Sequence, residues 1–105
     1  MSTIPEIHPK EVLEKTDYQL IDVRSEEEFV GELKHVPGSK LICLGPDLES
    51  WIKTQTPESQ IIFICRSGNR SGKATLLAQE HGISNCFNMT GGMILWNELG
   101  LKTES

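Results

Sequence analysis

The sequence predicts an α/β fold with a mainly parallel central sheet and helices on both of its faces. Four short apolar stretches, at residues 18–23, 40–42, 61–65 and 86–89, have the length and composition of buried strands. The segments between them carry helix start signals and helical apolar spacing, so strands and helices alternate along the chain. In such folds ligands bind beyond the carboxyl ends of the strands, and Cys65 lies at one of those ends.

The first two predicted strands are each followed by a recognisable helix start. After YQLIDV, Ser25 and Glu28 have the S-x-x-E spacing of a capping box. After the strand that begins at Lys40, Pro46 occupies a position typical of the first turn of a helix. The apolar face of that second helix would comprise Leu48, Trp51 and Ile52.

The third and fourth predicted strands, IIFIC and CFNM, are followed by glycine-containing loops and further helical patterns. We expect the helix after IIFIC to start near Arg70 or Ser71. Its buried face would comprise Ala74, Leu77 and Ala78. After CFNM, Gly91 and Gly92 precede Met93 and Trp96, which have helical spacing and the character of core residues.

Length and charge restrict the possible classes of function. The chain has 105 residues, so we treat residues 1–105 as one domain, with loose ends at about 1–4 and 101–105. Ten Lys and Arg against fifteen Asp and Glu give a net charge of -5. The chain therefore lacks the broad basic face that nucleic acid or an anionic membrane would require, and we predict neither as a partner. A monomer is the simplest expectation.

The apolar stretches are also too short for membrane segments, which need roughly 20 residues. The amino-terminal segment contains Pro5, Glu6 and His8 where a secretory signal would have a continuous apolar stretch. We therefore predict a cytoplasmic location.

The three cysteines, Cys43, Cys65 and Cys86, are odd in number and have no C-x-x-C spacing. This pattern argues against a disulfide framework and against a zinc site, so we predict no bound metal and at least one free thiol. Cys43 and Cys86 lie in or beside apolar strand-like segments and are most simply packing residues.

The segment around Cys65 has the features of an anion site. A strand ends at Cys65, a short loop follows, and the next helix directs its positive N-terminal end toward the sulfur. Arg66 and Arg70 add positive charge, which favours the thiolate and lowers the pKa of the cysteine. Cys65 is therefore a candidate nucleophile, although a lone cysteine more commonly serves as a small buried packing residue.

Two other residues of this loop have assignable roles. Gly68 permits a positive φ that would let the loop curl around the sulfur. The Ser71 hydroxyl could cap the helix or donate a hydrogen bond to the sulfur. The complete candidate anion-binding loop comprises Arg66, Ser67, Gly68, Asn69, Arg70 and Ser71.

Four motifs, in this order, carry a resemblance to a known family. They are Asp22-Val23-Arg24 followed by Glu28-Phe29, then HVPGS at residues 35–39, then CRSGNRS at residues 65–71, and finally Gly91-Gly92-Met93 with Trp96. Over nearly its whole length the chain resembles the rhodanese-like sulfurtransferases. The resemblance implies a sheet of about five strands and no cofactor.

The resemblance also implies a reaction. A Cys65 thiolate would take the outer sulfur of thiosulfate, hold it as a persulfide and pass it to a thiophilic acceptor such as cyanide, a thiol or a protein. This is covalent catalysis by an activated thiolate and predicts ping-pong kinetics.

Two alternatives remain open at this point. Domains of this fold also serve as persulfide carriers or interaction modules without turnover of their own. Cysteine-dependent phosphatases and arsenate reductases are less favoured, because phosphatases of similar fold place one more residue between the cysteine and the arginine than this loop does.

Outside the loop, we interpret Asp22 and Arg24 as structural residues that hold loops through charge-assisted hydrogen bonds. Gly91 and Gly92 would permit close approach of the backbone to the active loop. His35 is predicted to be a packing residue. The segment 31–34 departs from the family pattern, with Lys34 where glycine is usual.

Overall fold

The computed structural model describes residues 4–105 and contains a five-stranded sheet in the order β1-β5-β4-β2-β3, in which every neighbouring pair is parallel. The elements in chain order are β1 (Glu6–Ile7), α1 (Pro9–Val12), β2 (Gln19–Asp22), α2 (Glu26–Phe29), β3 (Lys40–Leu41), α3 (Pro46–Ile52), β4 (Ile61–Ile64), α4 (Asn69–Glu80), β5 (Cys86–Met89) and α5 (Gly92–Glu98).

The α/β fold class and the four strands expected from the apolar stretches are confirmed, with slightly shorter bounds. The remaining strand, β1, is an edge strand of two residues, in which Glu6 pairs with Asn88 and Ile7 with Met89. A strand this short has no readable pattern of its own, and it is extended because it pairs with β5.

Strand β4 is the centre of the sheet, between β5 and β2, and all four of its residues are buried. Its side chains alternate between two hydrophobic clusters. Ile61 and Phe63 belong to the cluster that includes residues of α3 and α4, whereas Ile62 and Ile64 belong to the cluster that includes residues of α1 and α5. Helices therefore cover both faces of the sheet, as predicted.

The predicted helix starts are also found. The Ser25 hydroxyl accepts a hydrogen bond from the Glu28 backbone N–H, and the Glu28 carboxylate accepts one from the Ser25 N–H, which completes a capping box at α2. Pro46 is the first residue of α3. Helix α4 begins at Asn69, one residue earlier than predicted.

The prediction of a loose carboxyl-terminal end at residues 101–105 was wrong. His35 and Glu104 form an isolated antiparallel bridge, with backbone hydrogen bonds of 2.9 and 2.8 Å. In addition, the indole N–H of the buried Trp96 donates to the Lys102 carbonyl at 2.9 Å. The bridge joins residues far apart in sequence, which is why the tail's local composition gave no sign of it. Of the predicted loose amino-terminal end, residues 1–3 lie outside the described residues.

Within residues 4–105, no helix combines the length and the apolar character needed to cross a membrane.

Ending the chain after Leu101 should lower its free energy of unfolding. The truncation removes two bridge hydrogen bonds and leaves the Trp96 indole without its protein acceptor, so we expect a loss of about 1–3 kcal/mol in urea denaturation. Deleting Ser105 alone is the matched control and should change little. An unchanged denaturation midpoint in the longer truncation would show that the tail contributes no stability.

Candidate functional site

Cys65 is the first residue after the central strand β4, and it is only 1% exposed. Its backbone and that of Arg66 are held by the start of α5: the Met93 N–H donates to the Cys65 carbonyl at 2.8 Å, and the Ile94 N–H donates to the Arg66 carbonyl at 3.0 Å. These two bonds use N–H groups that a helix N-terminus would otherwise leave without partners. They also fix the point at which the cysteine loop leaves the sheet.

Gly92 allows this close contact between α5 and the loop. It has a φ of +57°, and a Cβ atom there would lie 2.5 Å from the Cys65 carbonyl oxygen and nearer still to that of Arg66. Gly91 also has a positive φ, of +71°. The close backbone approach suggested by the glycine pair is therefore present, and at Gly92 a side chain is excluded both by φ and by space.

The Cys65 sulfur accepts hydrogen bonds from the surrounding loop and from α4. The Gly68 N–H lies 3.0 Å from Sγ, and the Ser71 hydroxyl oxygen lies 3.1 Å from it. Gly68 has a φ of +104°, and this turn directs its N–H toward the sulfur.

These contacts determine the ionisation of the thiol. Burial by itself raises the pKa of Cys65, but hydrogen bonds from the Ser71 hydroxyl and from the backbone at Ser71, Gly68 and Ser67 outweigh it and leave the pKa below its usual value. The sulfur is therefore more readily ionised than that of an ordinary buried cysteine.

Asn88, on β5, is a residue of this site that the sequence analysis did not single out. Its Oδ1 accepts a hydrogen bond from the Ser71 hydroxyl, and its Nδ2 donates to the Gly68 carbonyl at 3.0 Å and faces Glu6 Oε2 at 3.4 Å. It is 4% exposed. The only sequence signal was a polar amide within the otherwise apolar strand CFNM.

The two loop arginines have different surroundings. Arg70 makes a bidentate ion pair with Glu28 of α2, with N–O distances of 2.7 and 2.8 Å. The guanidinium of Arg70 lowers the pKa of Glu28 to about 2. The pair joins α2 to α4, and the sequence analysis did not predict it. Arg66, by contrast, is exposed.

Arg66 lies at the edge of a cavity of about 320 Å³ beside the loop. The lining residues are Arg24, Glu27, Glu28, Gly31, Glu32, Leu33 and Arg66. Segment 31–34, in which the chain departs from the family pattern, therefore borders the cavity.

The buried pair Asp22 and Arg24 supports that segment. Arg24 Nε and Nη2 donate to the two carboxylate oxygens of Asp22 at 2.9 and 2.8 Å, and Nη2 also donates to the Lys34 carbonyl at 2.7 Å. Lys34 has a φ of +55°, a conformation that glycine adopts more easily, which accounts physically for a glycine at this position in the pattern.

Two remaining candidate residues, His35 and Cys86, make contacts with other parts of the chain. The His35 ring stacks on Phe29 with a centroid distance of 3.7 Å, and its Nδ1 lies 2.9 Å from the Phe29 carbonyl. Cys86 pairs in register with Ile61, four positions before Cys65, which places it about 13 Å away along the sheet and beyond disulfide reach. Burial raises the pKa of Cys86 to about 11.

The positions of the other loop residues complete the site. Ser67 and Asn69 are exposed at the surface of the loop, whereas Ser71 is buried beside the sulfur. Residues 4–105 contain no group of three or more His, Cys, Asp or Glu side chains positioned to hold a metal ion.

A profile of the rhodanese-like domain matches residues 9–99. The chain belongs to the rhodanese-like family. A tRNA uridine(34) hydroxylase of Prochlorococcus marinus is 31% identical over 103 residues, which cover 90% of this chain and 33% of that protein. A thiosulfate:glutathione sulfurtransferase of Saccharomyces cerevisiae is 34% identical over 89 residues, which cover 73% of this chain and 63% of that protein.

The solved structure of the human single-domain sulfurtransferase TSTD1 is similar to this rhodanese-like chain, with a TM-score of 0.77 and 27% identity over 91% of this chain and 97% of that one. The chain thus spans about a third of the length of the Prochlorococcus protein and under two thirds of that of the yeast enzyme. The family is one of sulfurtransferases and includes enzymes named for thiosulfate.

Replacing Glu28 with Gln should remove a pH-dependent contribution to stability. In the folded chain the Glu28 carboxyl stays ionised down to about pH 2, whereas its ordinary pKa is 4.5, so the unfolded chain binds the extra proton between these values. The difference in free energy of unfolding between wild type and Glu28→Gln should therefore be full above pH 4.5 and disappear as the pH falls toward 2. Because the pair is partly exposed, we expect a difference on the order of 1 kcal/mol at neutral pH.

Urea denaturation at several pH values measures this difference. Glu27→Gln makes the same charge change in the same helical turn and should show little of the effect. A difference between wild type and Glu28→Gln that stays constant across the acid range would contradict the assignment to the ion pair.

Gly92→Ala should displace the cysteine loop. Gly100 also has a positive φ, of +70°, but a Cβ there meets nothing within 4 Å, so Gly100→Ala reports the cost of φ alone, about 1–2 kcal/mol. We expect Gly92→Ala to cost clearly more and to change the reactivity of Cys65 toward iodoacetamide, since its Cβ would push the Cys65 and Arg66 carbonyls away. Equal losses of stability in the two variants, with equal Cys65 reactivity, would show that the close approach is unimportant.

Proposed function

We propose that this chain is a sulfurtransferase that moves sulfane sulfur from thiosulfate, or a similar donor, through a Cys65 persulfide to a thiophilic acceptor. The observation that carries the proposal is the Cys65 sulfur at the end of β4, which accepts hydrogen bonds from the Gly68 N–H and the Ser71 hydroxyl. Both donors stabilise negative charge on the sulfur. Membership of the rhodanese-like family supports the same chemistry.

The proposed reaction has two halves. In the first, the Cys65 thiolate attacks the outer sulfur of thiosulfate, a new S–S bond forms, and the original S–S bond breaks with its electron pair leaving on sulfite. In the second, the acceptor attacks the outer sulfur of the persulfide and the Cys65 thiolate is released. Neither half needs an external oxidant or reductant, and the chain returns to its starting state.

The burial of Cys65 favours a donor of this shape. Because the residue is only 1% exposed, a donor must present a single projecting atom to reach the sulfur. The outer sulfur of thiosulfate is such an atom, whereas a phosphate ester presents a bulky tetrahedral centre. The loop length, with four residues between Cys65 and Arg70, also disfavours the phosphatase alternative.

Arg66 is the better candidate for binding the sulfonate end of the donor. It is exposed and lines the cavity beside the loop, while Arg70 already holds the Glu28 carboxylate through two hydrogen bonds. Glu27 and Glu32 line the same cavity and would repel an anion. The positive charge of Arg66 and the N–H groups of the loop would have to offset that repulsion.

A persulfide carrier that serves a partner protein is the second candidate. The match covers only 33% of the Prochlorococcus protein, so related segments occur within longer proteins. The cytoplasmic location and the monomeric state stay predictions from the sequence.

Incubation with thiosulfate should add the mass of one sulfur atom to the wild-type chain, and cyanide should then remove it as thiocyanate. Intact-mass spectrometry measures both steps. Cys65→Ser should gain nothing, whereas Cys43→Ser should load like the wild type, since we assign Cys43 no role. Sulfur gain by Cys65→Ser would refute the proposed nucleophile, and loading without discharge to cyanide would favour the carrier.

A further inference from the structure

The Ser71 hydroxyl lies between two hydrogen-bond acceptors. Its oxygen is 3.1 Å from the Cys65 sulfur and is also hydrogen-bonded to Asn88 Oδ1. A hydroxyl has one proton to donate. Cys65 and Asn88 are only 1% and 4% exposed, so solvent does not readily supply either acceptor with another donor. The two acceptors therefore compete for the same proton.

The orientation of the Asn88 amide is fixed by its other contacts. The Nδ2 group faces the Gly68 carbonyl at 3.0 Å and Glu6 Oε2 at 3.4 Å, both of which are acceptors. Turning the amide by half a rotation would place Oδ1 against these two acceptors, and neither could then form a hydrogen bond with it. The Asn88 oxygen therefore faces Ser71 in every ionisation state of the cysteine.

The number of protons differs among the three states of Cys65. In the thiol, the S–H can donate to Ser71 Oγ while Ser71 donates to Asn88, so every acceptor is satisfied. In the thiolate, the Ser71 proton must serve both acceptors. If it goes to Asn88, the sulfur keeps the Gly68 N–H but loses the Ser71 hydroxyl, and if it goes to the sulfur, Asn88 Oδ1 loses its donor. In the persulfide, the charge resides on the outer sulfur, and the Ser71 proton can return to Asn88.

We propose that Asn88 is a positioning residue that competes with the Cys65 sulfur for the Ser71 proton, and thereby limits ionisation of the thiol while keeping the thiolate reactive. The persulfide part of this inference rests on the proposed function, whereas the competition in the thiol and thiolate does not. An unmet acceptor in a buried site is costly, so the Asn88 oxygen opposes the thiolate. A thiolate that is less strongly hydrogen-bonded is also a better nucleophile.

Other charged groups around the sulfur act in addition to this competition. Arg66 and Arg70 lie on the loop and α4, and Glu28 of α2 neutralises Arg70. Asp22 is the last residue of β2 and pairs with Arg24 just beyond it, and Glu6 lies on β1 beside Asn88. Replacing Asn88 also removes its Nδ2 contacts with Glu6 and the Gly68 carbonyl. That effect is the same with and without Ser71, so it cancels when the Asn88 variant is compared in the two backgrounds.

The test is the pH titration of the Cys65 thiolate, followed by its ultraviolet absorbance relative to a matched Cys65→Ser chain. Asn88→Leu keeps most of the side-chain volume and removes the competing acceptor, together with the Nδ2 hydrogen bond to the Gly68 carbonyl. Its midpoint should fall by about one pH unit, the effect of one hydrogen bond to a charged group. Its limiting rate of alkylation by iodoacetamide at high pH should fall about threefold, because nucleophilicity decreases with pKa.

The Ser71→Ala background separates this role from a merely structural one. Ser71→Ala alone should raise the midpoint, and adding Asn88→Leu to it should produce almost no further shift, because no proton is left to compete for. An unchanged midpoint in Asn88→Leu, or the same shift with and without Ser71, would overturn the proposal.

A second variant covers the case in which Asn88→Leu does not fold. Asn88→Asp supplies a stronger acceptor and a negative charge, so it should raise the midpoint, and part of that rise should disappear in the Ser71→Ala background. A rise of equal size in both backgrounds would reject the competition. The titration uses no sulfur donor, so a failure of sulfur loading with these shifts intact would count only against the proposed function.

Discussion

The position of the Cys65 sulfur depends on the buried central strand β4. Its side chains alternate between two hydrophobic clusters, and a shift of one residue would exchange the faces and place every side chain in the wrong cluster. Cys65 follows this strand directly, and N–H groups at the start of α5 bind the Cys65 and Arg66 carbonyls. Core packing therefore fixes where the loop begins, and backbone hydrogen bonds fix the direction in which it leaves.

Some of the charged side chains around the loop are held in ion pairs within the fold, and others are free to bind an anion. Two arginines at a helix N-terminus oppose the helix dipole, and Glu28 compensates one of them by a bidentate contact that also ties α2 to α4. Arg24 is similarly occupied by the buried Asp22. Arg24 and Arg70 are thus both held in ion pairs, whereas Arg66 lies exposed at the loop surface. The site therefore has less available positive charge than its sequence implies.

Local signals predicted the fold and part of the site. The capping box at Ser25, the proline at the start of α3 and the buried run of β4 each depend on neighbouring residues, so they could be read from sequence. Three contacts join residues that are distant in sequence. Ser71 and Asn88 are 17 positions apart, Glu28 and Arg70 are 42 positions apart, and the bridge joins His35 to Glu104. Such pairs arise only when the sheet order brings separate elements together, and no spacing rule encodes them. The two-residue strand β1 likewise forms only because it pairs with β5.

One of the contacts that hold the loop at residues 31–34 does not depend on the loop's side chains. The buried guanidinium of Arg24 binds the main-chain oxygen of Lys34, which every residue type possesses. The exposed Glu32, which lines the cavity beside Arg66, can therefore change without loss of that anchor, whereas Leu33 also packs against the hydrophobic core. The exposed wall of this cavity can therefore vary by substitution, in nature or in a library, while the Cys65 sulfur and its hydrogen-bond donors remain in place.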